Sequence, residues 1–201
     1  MIAIVDYQAG NILSVKNALK RLGASFEVTS DPSRLKEAER VILPGVGEAS
    51  SAMSRLAAPY AEGGSLSETI RSLSVPVLGI CIGMQLLCES SEEGDTGCMG
   101  IFSTRVRRFP TDTEDKVPHM GWNTVHHLEG PLFQGIPEGT FFYFVHSYYP
   151  ETVEGQTIAE TVHAGCRFSA ALRNGNFFGT QFHPEKSGPA GAALLKNFLS
   201  L

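Results

Sequence analysis

The chain has 201 residues, of which 42% are hydrophobic, and a formal net charge of −5. That length and apolar content predict one domain with its own core, spanning residues 1–201. Charge is dispersed, with no basic tract beyond residues 105–108, which excludes a nucleic-acid or anionic-membrane surface, and the longest apolar run, around residues 75–88, is broken by Pro and Gly and too short to span a bilayer.

Residues 2–7 predict a first strand; with no basic leader before it and Asp6 inside it, the segment does not read as a signal peptide, so a cytoplasmic chain is expected. Asn11 is placed to cap a helix with apolar positions Ile12, Val15, Leu19 and Leu22, which Gly23 stops. Residues 25–29 form a second strand, and Asp31-Pro32 pairs a capping residue with proline at the first helical position, opening a short helix to about Glu37. Residues 40–43 form a third, buried strand that runs into Pro44-Gly45-Val46-Gly47, where glycine on either side of Val46 is expected to let the loop reorient. Helical segments follow near 48–57 and 65–72, then an apolar strand from residue 75 and a helix to about residue 90.

This alternation predicts a parallel sheet with helices on both faces and function at the carboxyl ends of its strands. From about residue 95 the pattern changes to strands at 101–109, 122–126, 140–146, 157–162, 167–173 and 176–182, with Asn174-Gly175 as a hairpin turn, before a last helix at 189–199. Antiparallel strands added to the parallel set give an α/β fold with a mixed sheet.

The turn at residue 81 carries the chemistry. Gly79-Ile80-Cys81-Ile82-Gly83 is a G-x-C-x-G between strand and helix, the nucleophile-elbow pattern with sulfur in place of oxygen. Such a turn strains the backbone at the nucleophile and brings the flanking chain so close that only glycine fits two residues to either side. The helix N-terminus behind it favours a thiolate. The pentapeptide alone is equally compatible with a structural cysteine beside a glycine-rich turn. The other cysteines, Cys88, Cys98 and Cys166, form no CxxC pair; all four are expected reduced, with no metal site and no cofactor.

A cysteine nucleophile needs a base, usually a histidine held by a third group. Of six histidines, His126, His127 and His163 read as surface or strand-end residues, and His119 and His146 as buried, hydrogen-bonded ones. His183 differs: Pro184 biases it to extended geometry, where Glu185, two residues on, faces the same way and can fix its tautomer. For a tetrahedral oxyanion, the N–H of Ile82 at the helix start and a backbone N–H near Val46 or Gly47 are the candidate donors.

The blocks PGVG at 44–47, LGICIGMQLL at 78–87, PHMGWN at 118–123, YFVHSY at 143–148 and GTQFHPEKSG at 179–188 carry a family resemblance across nearly the whole chain. The chain resembles the class I (triad) glutamine amidotransferases, with their flavodoxin-like fold, and most closely the glutaminase subunits of imidazole glycerol phosphate synthases of histidine biosynthesis. The resemblance implies that Cys81 attacks the side-chain amide of glutamine, that His183, oriented by Glu185, acts as base and then acid, and that water hydrolyses the resulting thioester. It also implies that Gln85, Glu93 and the Ser147-Tyr148 backbone hold the amino-acid end of glutamine. It implies a heterodimer with a (β/α)8-barrel cyclase subunit, faced by Asn11, Trp122, Tyr143 and Lys186, and a glutaminase nearly silent until that partner binds its own ligand. From residue type alone, Trp122 reads equally well as a core residue. The family pattern leads us to expect an aromatic near position 49, where this chain has Ala49, and Leu in place of Ile82. The other readings are the glutaminase subunit of another class I amidotransferase, a silent binding protein on the same fold, and a redox sensor with an elbow cysteine; the last needs no downstream H-P-E.

Overall fold

The structure, a computed structural model, describes residues 1–8, 12–45, 47–61 and 63–201. Its first half alternates β1 (Ile2–Val5), α1 (Leu13–Arg21), β2 (Phe26–Thr29), α2 (Pro32–Glu37), β3 (Arg40–Leu43), α3 (Ala49–Leu56), α4 (Leu66–Arg71), β4 (Val77–Ile80) and α5 (Ile82–Leu86). Local chemistry sets the ends. The Asp31 carboxylate accepts the Ser33 N–H at 2.8 Å, with Pro32 at the first position of α2. Gly23, at φ +70°, donates to the Lys20 carbonyl while Ala24 donates to that of Leu19, a Schellman ending for α1. The N-cap of α1 is Ile12, which offers no side-chain acceptor; Asn11, expected in that role, lies outside the described residues.

The helix after the elbow is shorter than its composition suggests. It ends at Leu86 because residues 99–102 occupy its C-terminus: the Leu87 carbonyl accepts the N–H groups of Ile101 and Phe102, and the Cys88 carbonyl accepts that of Gly100. The chain then forms β5 (Ser90–Ser91), β6 (Thr96–Gly97), β7 (Arg105–Arg108), β8 (His119–Val125), β9 (Thr140–His146), β10 (Tyr148–Pro150), β11 (Thr157–His163), β12 (Cys166–Asn174), β13 (Phe177–Thr180) and α6 (Gly188–Phe198).

Among the described residues, a seven-stranded sheet runs in the order β11-β12-β13-β4-β3-β1-β2. It is parallel from β2 to β13 and antiparallel from β13 to β11. β1 and β4 are buried along their whole length, so both sheet faces are covered. The hairpin between β12 and β13 turns one residue later than predicted: Asn174 pairs with Phe177, and Gly175 supplies the positive φ at the first turn position.

The expected mixed sheet is formed, but not every later strand joins it. Only β11, β12 and β13 do; β10, β7, β5 and β6 make a second sheet, and β8 pairs with β9 alone. That ribbon has two unlike faces. Phe142, Phe144, His119 and His146 are buried, whereas Met120, Trp122 and Phe141 are exposed.

Under the ribbon, His119 and His146 are packed among Phe109, Phe144 and Phe168, and His163 stacks on His119 with ring centroids 4.0 Å apart. The Tyr148 carbonyl can only accept, so His146 Nδ1 (2.7 Å away) carries a proton, and its Nε2 accepts from His119 Nδ1 at 3.0 Å. Asn123 then donates to His119 Nε2 at 3.3 Å. All partners in this chain are neutral. Burial first, and then the neighbouring imidazole of His163, push the His119 pKa down to about 4, and burial holds that of His146 well below the usual range. A histidine depressed in the folded state contributes stability above its unfolded pKa, and that contribution is lost as pH falls towards the folded value. Acidification from about pH 6.5 to about pH 4 should therefore cost on the order of 2 kcal/mol through His119. Melting temperatures across that range should fall more gently for His119→Asn than for the parent chain; parallel curves would remove His119 from the acid response.

Candidate active site

Cys81 stands at the carboxyl end of β4, with φ 54° and ψ −113°, as the N-cap of α5. The strain is held from several sides. The Cys81 N–H donates to the Thr180 carbonyl of β13 at 2.7 Å. A Cβ added at Gly79 would lie 2.7 Å from the Gly83 carbonyl carbon, and one at Gly83 would fall on the carbonyl oxygen of Leu43 in β3. Glycine is thus required on both sides for close approach, and Cys81 alone takes the positive φ.

His183 follows β13 in extended geometry, φ −97° and ψ 95°. Glu185 does not reach it along an extended chain, as expected, but from a 3-10 turn, Pro184–Lys186; its Oε1 accepts from His183 Nδ1 at 2.8 Å, with both side chains almost fully buried. Ser187 fastens this turn to β9, donating to the His183 carbonyl and accepting the Tyr143 N–H. His183 Nε2 is buried and has no hydrogen-bond partner in this geometry, although the Cys81 sulfur is near enough to act on the imidazole. Burial works against the imidazolium, but the Cys81 sulfur and then the Glu185 carboxylate outweigh it and push the His183 pKa up to about 10.

Cys81 and His183 share a cavity of about 360 Å³ whose lining also includes Gly45, Gly47, Ile82, Gln85, Glu93, Ser147, Tyr148 and Lys186. Gln85 is fully buried; its Nε2 donates to the Tyr148 carbonyl and to Gln181 Oε1, both at 2.9 Å, and its Oε1 has no partner. Glu93 Oε2 accepts the Ala49 N–H at 2.8 Å, so this carboxylate also caps α3, and Ala49, where an aromatic was expected, is fully buried. Burial raises the Glu93 pKa against that hydrogen bond. Ile82 is the first residue of α5; the helical bonds begin at Met84 and Gln85, which both donate to the Cys81 carbonyl, so the Ile82 N–H has no intrahelical acceptor.

The loop after β3 is only partly the flexible element its glycines suggested. The Tyr7 hydroxyl donates to the Pro44 carbonyl at 2.7 Å, and a Cβ at Gly45 would lie 2.6 Å from that of Ile82, so Gly45 is a close-packing glycine. Gly47, at φ +100° with open space around it, keeps the conformational freedom. Val46 lies outside the described residues.

Trp122 and Tyr143 face each other across the β8–β9 ribbon with ring centroids 6.0 Å apart, and Nζ of Lys186, a residue of the cavity wall, sits 6.0 Å over the Tyr143 ring. Trp122 is 55% exposed, which removes the reading of a core tryptophan. Two buried neighbours of the site escaped the sequence reading, Tyr7 and Gln181. Gln181 had a usable signal, since it lies two residues before His183 on extended chain and so shares its face. Among the described residues, no group of three or more His, Cys, Asp and Glu side chains is arranged to hold a metal, and no helix is long and apolar enough to cross a membrane.

The model of the family glutamine amidotransferase class I matches residues 3–201. The imidazole glycerol phosphate synthase subunit HisH of Bacteroides fragilis is 54% identical over 201 residues, covering 100% of this chain and 99% of its own. The protein of the same name from Haemophilus influenzae is 46% identical, covering 98% and 96%. In fold, the chain is similar to a crystal structure of a glutamine amidotransferase from Thermotoga maritima (TM-score 0.64, 18% identity, 99% of this chain and 82% of that one). A second glutamine amidotransferase structure gives a TM-score of 0.74 at 19% identity, over 100% and 98%.

Proposed function

The chain belongs to the class I glutamine amidotransferases, and from that premise we propose that it works, as one domain over residues 1–201, as the glutaminase subunit of an imidazole glycerol phosphate synthase in histidine biosynthesis. The observation that carries the chemistry is a positive-φ cysteine in one cavity with a buried histidine–glutamate pair. The Cys81 thiolate adds to the side-chain amide carbon of glutamine, and the oxyanion is met by the Ile82 N–H and an N–H of the Val46-Gly47 segment. His183, steadied by Glu185, passes a proton to the amide nitrogen; the C–N bond breaks and ammonia leaves a γ-glutamyl thioester on Cys81. His183, now neutral, takes a proton from water, whose oxygen attacks the thioester; glutamate departs and the sulfur is restored. The sum is glutamine plus water to glutamate plus ammonia.

Recognition follows from the polar inventory of the pocket. The unpartnered Gln85 Oε1 and the Glu93 carboxylate suit the α-ammonium, and the Ser147-Tyr148 backbone suits the α-carboxylate. The ammonia passes to a (β/α)8-barrel cyclase subunit, which joins it to a phosphoribulosyl formimino intermediate to give imidazole glycerol phosphate and an aminoimidazole carboxamide ribotide. The docking face is the exposed side of the β8–β9 ribbon, with Trp122, Tyr143 and Lys186, and Asn11 is assigned to the same interface. An aromatic face joined to the cavity wall through Lys186 suits a partner that must receive ammonia without losing it to water. Four unpaired cysteines fit a reducing, cytoplasmic setting.

The test is capture of the cyclase subunit, followed by a glutaminase assay with and without cyclase ligand. The isolated chain should hydrolyse glutamine very slowly, and the liganded complex far faster; strong activity of the chain alone would sink the coupled-subunit reading. Trp122→Asp should weaken the complex by about 30-fold or more, the scale of a buried aromatic anchor. Unchanged affinity would move the interface elsewhere.

A further inference from the structure

We infer that Gln181 is a catalytic residue: its side-chain amide N–H donates to the Cys81 sulfur, and its carbonyl fixes the orientation of the Gln85 amide in the wall of the glutamine pocket. The inference rests on the reading of Cys81 as nucleophile. It starts from a backbone atom whose role is fixed. The Tyr148 carbonyl can only accept, so the Gln85 atom 2.9 Å from it must be nitrogen. That NH₂ has two protons; one goes to Tyr148 and the other to the Gln181 side chain, also at 2.9 Å, whose facing atom must then be oxygen. The other end of the Gln181 amide is therefore the NH₂ group, and it lies 3.7 Å from Cys81 Sγ. Gln181 is fully buried, so solvent offers its side chain no alternative partner, and its backbone N–H is anchored to the Ala170 carbonyl at 2.8 Å.

The sulfur thus has two partners of opposite kind. As a thiol it can donate to the Val145 carbonyl at 3.9 Å; as a thiolate it accepts from Gln181. A hydrogen bond to the charged form favours it, and the bond weakens once the sulfur is acylated and loses its charge. The same side chain orients Gln85, the proposed reader of the substrate ammonium. One residue links the state of the nucleophile to the shape of the pocket.

Two variants of the full chain separate these roles. Gln181→Met has nearly the same volume, adds no charge, and lacks both donor and acceptor. Gln181→Glu keeps the acceptor for Gln85 and loses the donor. The other groups about the sulfur stay in place: His183 with Glu185 behind it, His146 from β9, Tyr7 from the end of β1, and Glu93 and Lys186 in the cavity wall. The first readout is the pH profile of Cys81 alkylation by iodoacetamide, followed at the Cys81 peptide by mass spectrometry so that Cys88, Cys98 and Cys166 do not interfere. Both variants should show the profile moved to higher pH by about one unit or more, the scale of a hydrogen bond to a charged group. The second is glutamine hydrolysis in the complex with the synthase partner. Gln181→Glu should lower kcat by about tenfold or more with KM near the parent value, whereas Gln181→Met should lower kcat and raise KM.

Profiles in the variants that superimpose on the parent would overturn the inference, as would unchanged kcat in Gln181→Glu. Should Gln181→Met not fold, Gln181→Leu takes its place, because it also removes donor and acceptor without adding charge, whereas the carboxylate of Gln181→Glu would shift the profile by repulsion alone. Protection of parental Cys81 from alkylation by glutamine tests the nucleophile reading separately: if glutamine gives none, that reading fails first, whatever the variants do.

Discussion

Cys81→Ala should abolish glutamine-dependent turnover, by at least about 10⁴-fold, while externally supplied ammonia still supports synthesis by the complex. The size of the loss follows from the cavity: among the described residues the Cys81 sulfur is the only thiol in its lining, and His183 is held by Glu185 in the orientation of a proton carrier. Alanine also leaves the architecture intact, because the backbone strain at φ 54° is imposed by the Thr180 carbonyl and the flanking glycines rather than by the thiol. The measurement is paired: glutamate release, and product formation driven by an ammonium salt at a pH where free ammonia is abundant. If glutamine-dependent turnover survived, the nucleophile would be another group. If the ammonia-driven reaction disappeared as well, residue 81 would be supporting the docked complex. His183→Asn added to Cys81→Ala should cost little more, since members of one catalytic unit are not additive.

What was legible in the sequence was local. Asp31-Pro32 wrote its own cap, Gly23 its own helix end, and the spacing of Gly79, Cys81 and Gly83 its strand-to-helix turn, because each of these conformations is decided within a few residues. What was not legible depends on chain far away. The end of α5 is set by carbonyls captured by residues 100–102, and no propensity of residues 87–90 announces that. The exposure of Trp122 depends on the β8–β9 ribbon standing apart from the main sheet, whereas its alternating pattern reads the same in either place. Gly45 read as a hinge because glycine carries no sign of why it is there; only the backbone of α5 lying against it turns flexibility into close packing. Gln181 was passed over for a related reason. A buried glutamine is unremarkable in a string, and its meaning comes from the directions of three hydrogen bonds across residues 85, 148 and 81.

The same close packing gives the second large effect. Gly83→Ala should cost about 3 kcal/mol or more, or prevent folding, whereas Gly97→Ala should stay within about 0.5 kcal/mol of the parent. Both positions avoid a positive φ, so the comparison isolates steric room from backbone conformation. At Gly97 an added methyl meets nothing within 4 Å. At Gly83 it would overlap the Leu43 carbonyl oxygen, with the Leu43 carbonyl carbon 3.0 Å away. That carbonyl ends a central strand paired on both sides, to β1 and to β4, and cannot retreat without breaking ladder hydrogen bonds. The alternative is to push the first turn of α5 away from β3, which carries Cys81 and Ile82 away from His183 and from the loop after Pro44. A Gly83→Ala chain that does fold should therefore show a lowered kcat together with its lowered denaturation midpoint. Denaturant unfolding of the two variants beside the parent reads the first effect, and glutaminase activity in the complex reads the second. A Gly83→Ala protein with parental stability would mean that α5 and β3 do not pack as the elbow geometry requires, and the strain that presents Cys81 would need another source.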